Sequence, residues 1–482
     1  MDYSATVLKL SGLSFCLLLQ ACSLLPYDPL DALAQKRLDA IDSPKVTTPL
    51  TWQAPLPHQG QISNLTHWWQ QLQDPILVRL IDAAEQVSAS IANAQAHIED
   101  ARANYTNAKG DLLPSLEGSA SGYRGLQSLF FPAATIGSIG AASNWEIDLF
   151  GKNQAALSAA LARFNGAAAN WHAARVSIAA EVANTYVNLR SCEAQAMQLE
   201  KEVTSKLHTA RLTQELTQVG FEAPASSLLA NAMSAESKNS LVQQQNQCGL
   251  QIKALVALTD LPESQLRQLL RAKSAQLPEV KAFNIETVPA VVITQRPDIY
   301  SAGYDVLAAS ADITQLDAHK YPKIAFSGNI SVTHMELATG PIGGMVWSVG
   351  PIAITLPLFD GGRRVANVAS AKAKYDAALA VYQEKIRTAV REIEDALLTL
   401  QHNSQRLVEI ETAVKNYHSN VIATQSLYKS GLASKIDLEN AQRMDLQAQI
   451  ALIETRRSQV GAWIALYRAV GGGWTPRDNQ QL

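Results

Sequence analysis

The 482-residue chain lacks most of what would mark an enzyme, a nucleic-acid binder or a helical membrane protein. Its nine histidines are scattered, and no two form an H-x-x-x-H pair. It has no P-loop and no G-x-G-x-x-G. The run Gly471–Gly473 follows a helical pattern and precedes Trp474, so it reads as a terminus rather than a phosphate cradle. These absences argue against catalysis and leave no metal cluster. A net charge of −3 gives no pull toward nucleic acid. After Cys22 no window of about 20 apolar residues occurs, which excludes a membrane-spanning helix. If the chain enters a membrane, it does so as a closed barrel, because strand backbone in lipid needs every polar group paired.

The N-terminus is the first positive feature. The apolar run from Leu10 to Leu19 has the length of a signal-peptide core and is too short to cross a bilayer. Leu19-Gln20-Ala21-Cys22 resembles the bacterial lipobox, in which the cysteine is lipidated and becomes the new N-terminus. The expectation is a signal peptide over 1–21 and a diacylglycerol and N-acyl chain on Cys22. Ser23, where an Asp would favour inner-membrane retention, points to the outer membrane. Residues 22–66 read as an extended, lipid-anchored strap, since six prolines fall between Ser23 and Ser63 with little periodicity.

The chain then repeats itself. Gly151 answers Gly362, Glu181 answers Glu392 and Gly220 answers Gly431, each 211 residues apart, while Pro114 answers Pro322 at 208. Phe150 before the first glycine answers Phe359. A duplicated unit of strand, strand, long helix, turn and long helix follows, with repeats over 67–270 and 297–474, an inter-repeat segment over 271–296 and a tail over 475–482.

Neither Lys152–Val219 nor Arg363–Ser430 contains a proline. In the second span Leu379, Tyr382, Ile386, Ala389, Ile393, Ala396, Leu400 and their successors to Tyr428 step by three and four, broken only by Asn403 and Thr424. That is a coiled-coil seam rather than an ordinary helix stripe. Each helix would be roughly 100 Å long at 1.5 Å per residue. Returning helices are expected from Ser227 to about Leu258 and from Ser434 to about Val470. Gly220 and Gly431 suit left-handed positions just past a helix end. Ser434-Lys-Ile-Asp437 looks like a capping box, and Pro224 suits a first helical turn.

Strands are expected at about 113–124, 141–150, 322–334 and 345–359, with extracellular loops over 124–140 and 334–344. Ile324, Phe326, Gly328, Ile330 and Val332 alternate with polar residues, and so do Trp145, Ile147 and Leu149. In the fourth strand one face is expected to carry Val346, Ser348, Gly350, Ile352, Ile354 and Leu356. The FFPAATIG stretch in the first loop could narrow a channel mouth. A soluble two-layer sheet would alternate in the same way, so periodicity alone leaves a barrel open. Four strands are too few to close one, since the smallest have about eight; several chains would have to share it.

Taken in order on this frame, HWWQQLQDPILVRLI, NWEIDLFGK, Arg296-Pro297-Asp298, KYPKIAFSG, GPIAITLPLFDGG and ALYRAVGGGW resemble the outer-membrane efflux proteins of the TolC and OprM type, in the lipoprotein, NodT-like branch. The resemblance runs from about Trp68 to Trp474. It implies a mainly α homotrimer, with a twelve-stranded β-barrel in the outer membrane continued by a periplasmic α-helical barrel. It implies a periplasmic membrane-fusion adaptor and an inner-membrane resistance-nodulation-division pump as partners, and a passive duct for drugs or other small toxic compounds. It also implies a periplasmic gate. Asp437 stands at the first of two acidic positions of the family's gate, and Asn440 replaces the second acid, a ring that Glu439 could partly supply. Ile436 matches an apolar constriction residue, Arg443 a gate arginine and Tyr428 a tyrosine near the tip. Asp437 equally reads as a plain helix cap. Gly220, Gly431 and Leu432 would meet the adaptor.

Cys192 and Cys248 lie 28 residues on either side of Gly220. Antiparallel helices from that turn place them at one height, and in the oxidising periplasm a Cys192–Cys248 disulfide is expected. Protein secretion and metal export through the same duct are the alternative cargoes, although six methionines do not suggest a metal-lined lumen. A coiled-coil lipoprotein that tethers membranes is the alternative without a duct.

Overall fold

The computed structural model describes residues 29–39, 48–54, 56, 65, 68–125, 133–279, 289–337, 340–476 and 478. The lipobox, most of the strap and the FFP that opens FFPAATIG lie outside these residues. The chain divides into two compact units. One comprises residues 1–45, 97–167 and 302–382, and the other 46–96, 168–301 and 383–482.

In chain order the elements are α1 (Pro29–Asp39), α2 (Trp68–Gln71), α3 (Pro75–Val87), α4 (Ala89–Gly110), β1 (Ser115–Gly125), β2 (Ala134–Ile147), α5 (Lys152–Gln218), α6 (Pro224–Thr259) and α7 (Glu263–Leu270). They continue as α8 (Pro289–Ile293), α9 (Pro297–Ala318), β3 (Lys323–Leu337), β4 (Gly340–Thr355), α10 (Arg363–Lys429) and α11 (Lys435–Ala469). The two long helices α5 and α10 have 67 residues each, and 211 residues separate their starts. Duplication therefore holds at the level of elements as well as landmarks.

The first unit holds an antiparallel sheet in the order β1-β2-β3-β4. Along it run rows of paired residues: Ile147–Ile324–Ile354, Trp145–Phe326–Ile352, Ala141–Ile330–Trp347 and Ile139–Val332–Met345. Neighbouring rows carry Ala142–Asn329–Ser348 and Gly140–Ser331–Val346. One face is thus bulky and apolar, and the other is small and largely polar. This is the division a barrel needs between lipid outside and water inside.

Three strand expectations need correction. The strands are longer toward the loops, so 134–140, 334–337 and 340–344 belong to strands rather than loops. Loop and strand residues are both small here, with Gly137, Gly140, Gly343 and Gly344, so composition hides the boundary. The end of FFPAATIG, from Ala134 on, is strand and not a mouth plug. The alternation in β4 also changes phase. The register slips between Phe326 and Gly328, opposite Gly350-Pro351, so Val349, Trp347 and Met345 share the face of Ile352 and Ile354. A bulge inserts one residue and flips every side chain beyond it; Pro351, which has no N–H to donate, suits that place. The slip improves the apolar face, because it removes Ser348 and brings in Trp347.

The two faces make a direct test. Ile330→Lys puts a charge on the apolar face in mid-strand, and Ser331→Lys puts one on the polar face. If the apolar face meets lipid, the first is expected to cost about 2–4 kcal/mol of stability, with the amount of heat-resistant assembled protein falling accordingly, and the second close to nothing. Equal losses would count against this assignment of faces.

The strap expectation also fails in part. Residues 29–39 form a helix, because Pro29 sits at its start and the next proline is Pro44, leaving a stretch of good helix formers uninterrupted. Leu38 is buried with Ala162 and Ala308, Arg37 donates to Gln154 Oε1 at 2.5 Å, and Lys109 pairs with Asp31 at 2.9 Å.

The second unit carries the main core, in which Trp68, Leu77, Leu80, Tyr186, Leu189, Leu255, Leu266, Ile393 and Leu466 are buried. Asp74 caps α3 through the amides of Ile76 and Leu77, and it accepts from the buried Tyr186 hydroxyl at 2.8 Å. Asn403, the polar break in the α10 seam, is buried and donates to Ser458 Oγ on α11 at 2.9 Å. One polar pair in an apolar seam fixes its register. The GGGW ending closes the unit. Gly471 and Gly472 adopt positive φ, and a Cβ on Gly471 would meet the Gln295 carbonyl at 2.4 Å. Glycine there lets Trp474 reach Tyr300, with ring centroids 5.0 Å apart.

Candidate functional site at the hairpin tips

Both hairpins turn in the same way. At the first tip Phe221 N donates to Leu216 O at 2.9 Å and Gly220 N to Thr217 O at 3.1 Å. At the second, Leu432 N donates to Leu427 O at 2.9 Å and Gly431 N to Tyr428 O at 3.0 Å. Gly220 has φ +81 and Gly431 φ +71. This is the bond pattern of a Schellman turn, which needs a left-handed residue and so favours glycine. The tips expose apolar side chains: Val219, Phe221, Leu228 and Leu229 at the first, Leu432 and Ile436 at the second.

Asp437 is a helix cap in this structure. Its amide donates to Ser434 Oγ at 3.1 Å, and its Oδ2 accepts from the Ser434 hydroxyl at 2.6 Å and the Ser434 amide at 2.9 Å. These bonds from Ser434, side chain first, hold the Asp437 carboxyl below the usual aspartate range. Ile436 beside it is exposed. One turn on, Arg443 donates to Asn440 Oδ1 at 3.3 Å, so the residue that replaces an acid serves as a neutral partner for the arginine. Lys435 Nζ lies 5.9 Å from the centre of the Tyr428 ring. Ile436, Asp437, Asn440 and Arg443 thus share the first turns of α11, and Tyr428 ends the helix before it.

Glu439 does not stand in for a second acid. Its carboxylate is largely buried against α5, where it pairs with Lys206 Nζ at 2.5 Å and accepts from Thr209 Oγ1 at 2.9 Å. Beside it Ser205 Oγ donates to Gln442 Oε1 at 3.3 Å. Sequence reasoning missed this cross-repeat polar contact. Lys206 sits in an ordinary polar stretch of α5, and its partner is 233 residues away, beyond the reach of any local pattern.

Farther along the first hairpin, Cys192 and Cys248 form a disulfide with Cα atoms 5.5 Å apart. The two cysteines are equidistant from the tip and helix packing brings them together.

A family model described as outer membrane efflux protein matches residues 80–260, within the first repeat, and 288–472, which takes in most of the second and the end of the segment before it. The chain belongs to that family. It is 27% identical to the outer membrane protein OprJ of Pseudomonas aeruginosa, over 96% of this chain and 95% of that one. It is 28% identical to nodulation protein T of Rhizobium leguminosarum bv. viciae, over 84% of each. Among solved structures, the outer-membrane channel OprN superposes with a TM-score of 0.76 at 25% identity, covering 90% of this chain and 99% of that one. The outer membrane protein VceC of Vibrio cholerae superposes with a TM-score of 0.74 at 26% identity, covering 86% and 100%. The efflux protein described here is accordingly an outer-membrane channel, built from a β-barrel part and an α-barrel part, in the NodT-like branch. Channel proteins of this family conduct rather than catalyse.

Proposed function

We propose that three copies of the chain form the exit duct of a tripartite efflux pump and pass drugs, solvents or similar small toxic compounds outward without consuming energy. The observation that carries this reading is the sheet. It has four strands, one apolar face, one polar face and two unpaired edges, so it encloses a pore only with further copies. A membrane tether would need no such sheet. Relatives named for toluene and solvent efflux support small apolar cargo: TtgI and SrpC of Pseudomonas putida are each 27% identical over 84% of this chain. The partners in this reading are a periplasmic membrane-fusion adaptor meeting Gly220, Gly431 and Leu432, and an inner-membrane resistance-nodulation-division pump. Ile436, Asp437, Asn440, Arg443 and Tyr428 line the closed periplasmic end. Asp437 combines cap and gate, since its cap bonds leave the carboxylate exposed and charged. Cys22 carries the lipid that holds each protomer at the membrane during assembly.

Two measurements test this. The detergent-solubilised protein is expected to have the mass of a trimer by light scattering. Cells fed labelled palmitate are expected to label the wild type and not Cys22→Ala. A monomeric mass, or equal labelling of both, would contradict the corresponding part.

A further inference from the structure

The sheet has edges at β1 and β4, and among the described residues neither edge strand has a second partner. Exposed edges of this length demand a partner. The internal duplication says which partner and in which register. We infer that β4 of one protomer, continued by one residue to Leu356, pairs antiparallel with β1 of a second copy, with Leu356 opposite Leu116 of the partner subunit, Ile354 opposite Gly118 of the partner subunit and Ile352 opposite Ala120 of the partner subunit. The inference rests on the trimeric reading above and adds the register to it.

The template is the β2–β3 junction, the one place in the chain where the second strand of a repeat meets the first strand of the next. There Ile147 faces Ile324, Trp145 faces Phe326 and Ser143 faces Gly328. Two landmarks bracket the strands. Pro114 and Pro322, 208 residues apart, stand just before β1 and β3. Leu149-Phe150 and Leu358-Phe359, 209 residues apart, follow β2 and β4. Moving the β2 residues forward by 209 and the β3 residues back by 208 turns those three pairs into the three stated. Below the sheet, Phe150 stacks on Tyr321 with centroids 4.9 Å apart. The same shift sets Phe359 against Leu113 of the partner subunit. Phe359 is 91% exposed and Leu113 54% exposed in the single chain, as groups awaiting burial would be.

Two features agree with this register, and a third excludes one of its neighbours. First, parity: Leu116, Gly118 and Ala120 lie on the apolar face through their partners Ser143, Ala141 and Ile139, and so do Ile352 and Ile354. A register off by one residue would set apolar against polar rows. Second, size: the apolar face of β1 is small at Gly118, Ala120 and Gly122, while that of β4 is bulky at Val349, Ile352 and Ile354, so large meets small across the junction. Third, tilt. Leu116 leads through Ser143 and Gly328 to Val349. Beyond the bulge Val349 then faces Gly122 of the partner subunit, an advance of six residues per subunit. Twelve strands with that stagger tilt by about 46° at the usual rise and spacing, just above the roughly 35–45° of membrane barrels. A register two residues further gives about 54°, outside that range, whereas two residues back gives about 35°, so the landmarks decide between those two.

The test uses the full-length protein in outer membranes. Ile354→Cys is combined in turn with Leu116→Cys, Gly118→Cys and Ala120→Cys, oxidised with copper phenanthroline and run without reductant. Residues directly opposite have Cβ atoms about 4.5–5.5 Å apart and diagonal ones about 7–8 Å, so the Gly118→Cys pair is expected to give at least about fivefold more cross-linked oligomer than either neighbour. Ile352→Cys with Ala120→Cys repeats the test one row away, in case the first pair assembles poorly. Strongest cross-linking with Leu116→Cys or Ala120→Cys would overturn the register and leave the trimer standing. No cross-link in any pair, with a trimeric mass by light scattering, would overturn the β4–β1 junction alone; a monomeric mass would overturn the trimer as well.

Discussion

Replacing Arg296 by methionine is expected to destabilise the second unit by about 3–5 kcal/mol, the usual cost of breaking a buried ion pair by removing one member. Arg296 is buried, and three groups converge on it through four hydrogen bonds. It donates to Asp298 Oδ1 at 3.0 Å and Oδ2 at 2.8 Å, to Glu392 Oε2 at 2.7 Å, and to the Ala469 carbonyl at 3.0 Å. One side chain therefore joins the start of α9, the middle of α10 and the end of α11, the last just before the GGGW turn. Although burial by itself raises the Asp298 carboxyl, its hydrogen bonds and charge contact with Arg296 outweigh that and leave it below the ordinary range. Without the guanidinium, two carboxylates and a helix-end carbonyl face each other with no cation between them. The measurement is the urea midpoint of the purified protein, followed by far-UV circular dichroism. Adding Glu392→Gln to Arg296→Met should recover part of the loss, since it removes one of the stranded charges. An unchanged midpoint in the single variant would contradict the role assigned to Arg296. Lysine should rescue poorly, because one ammonium lacks the planar fork that meets Asp298 with two bonds.

Removing the Cys192–Cys248 bond is expected to cost a similar amount. The cysteines are 56 residues apart. Closing a loop of that size in the unfolded chain corresponds to about 4 kcal/mol in the chain-entropy picture. The bond joins α5 to α6 well above the tip, so its loss should loosen the first hairpin and leave the second unchanged. Cys192→Ser with Cys248→Ser should lower the urea midpoint as much as reductant lowers that of wild type, and reductant should do nothing further to the double variant. In a denatured, unreduced sample neither thiol should alkylate. Alkylation of both would mean that the bond does not form in the cell.

How much of this was legible in the sequence follows from the range of the forces involved. The long helices, their turns and their caps are local. A seam stepping by three and four, a glycine past each helix end and Ser434 three residues before Asp437 each state their structure within a few residues, and α5, α6, α10 and α11 lie where those signals put them. The cysteine pair was readable because a hairpin maps equal sequence distance onto equal height. The face of β4 was not readable. Its phase depends on a single inserted residue at Gly350-Pro351, and the alternation on either side looks regular when read alone. Helix α1 was hidden by the prolines around it, although none falls within residues 30–39. At the tip, resemblance offered Glu439 as a partial replacement for the second acid, but Lys206 and Thr209 draw it toward α5. A side chain's direction on a helix is decided by what packs beside it, and that partner comes from the other repeat.

The central claim is that this chain is the channel through which small toxic compounds leave the cell, and ethidium retention tests it most directly. The gene is deleted, and wild type or Cys22→Ala is added back. Intact cells lacking the protein are expected to retain more ethidium, and wild type to restore the lower level. The Cys22→Ala strain then reports how far the lipid is needed. Retention that stays the same in the deletion strain, under conditions where the protein is made in wild type, would contradict the account.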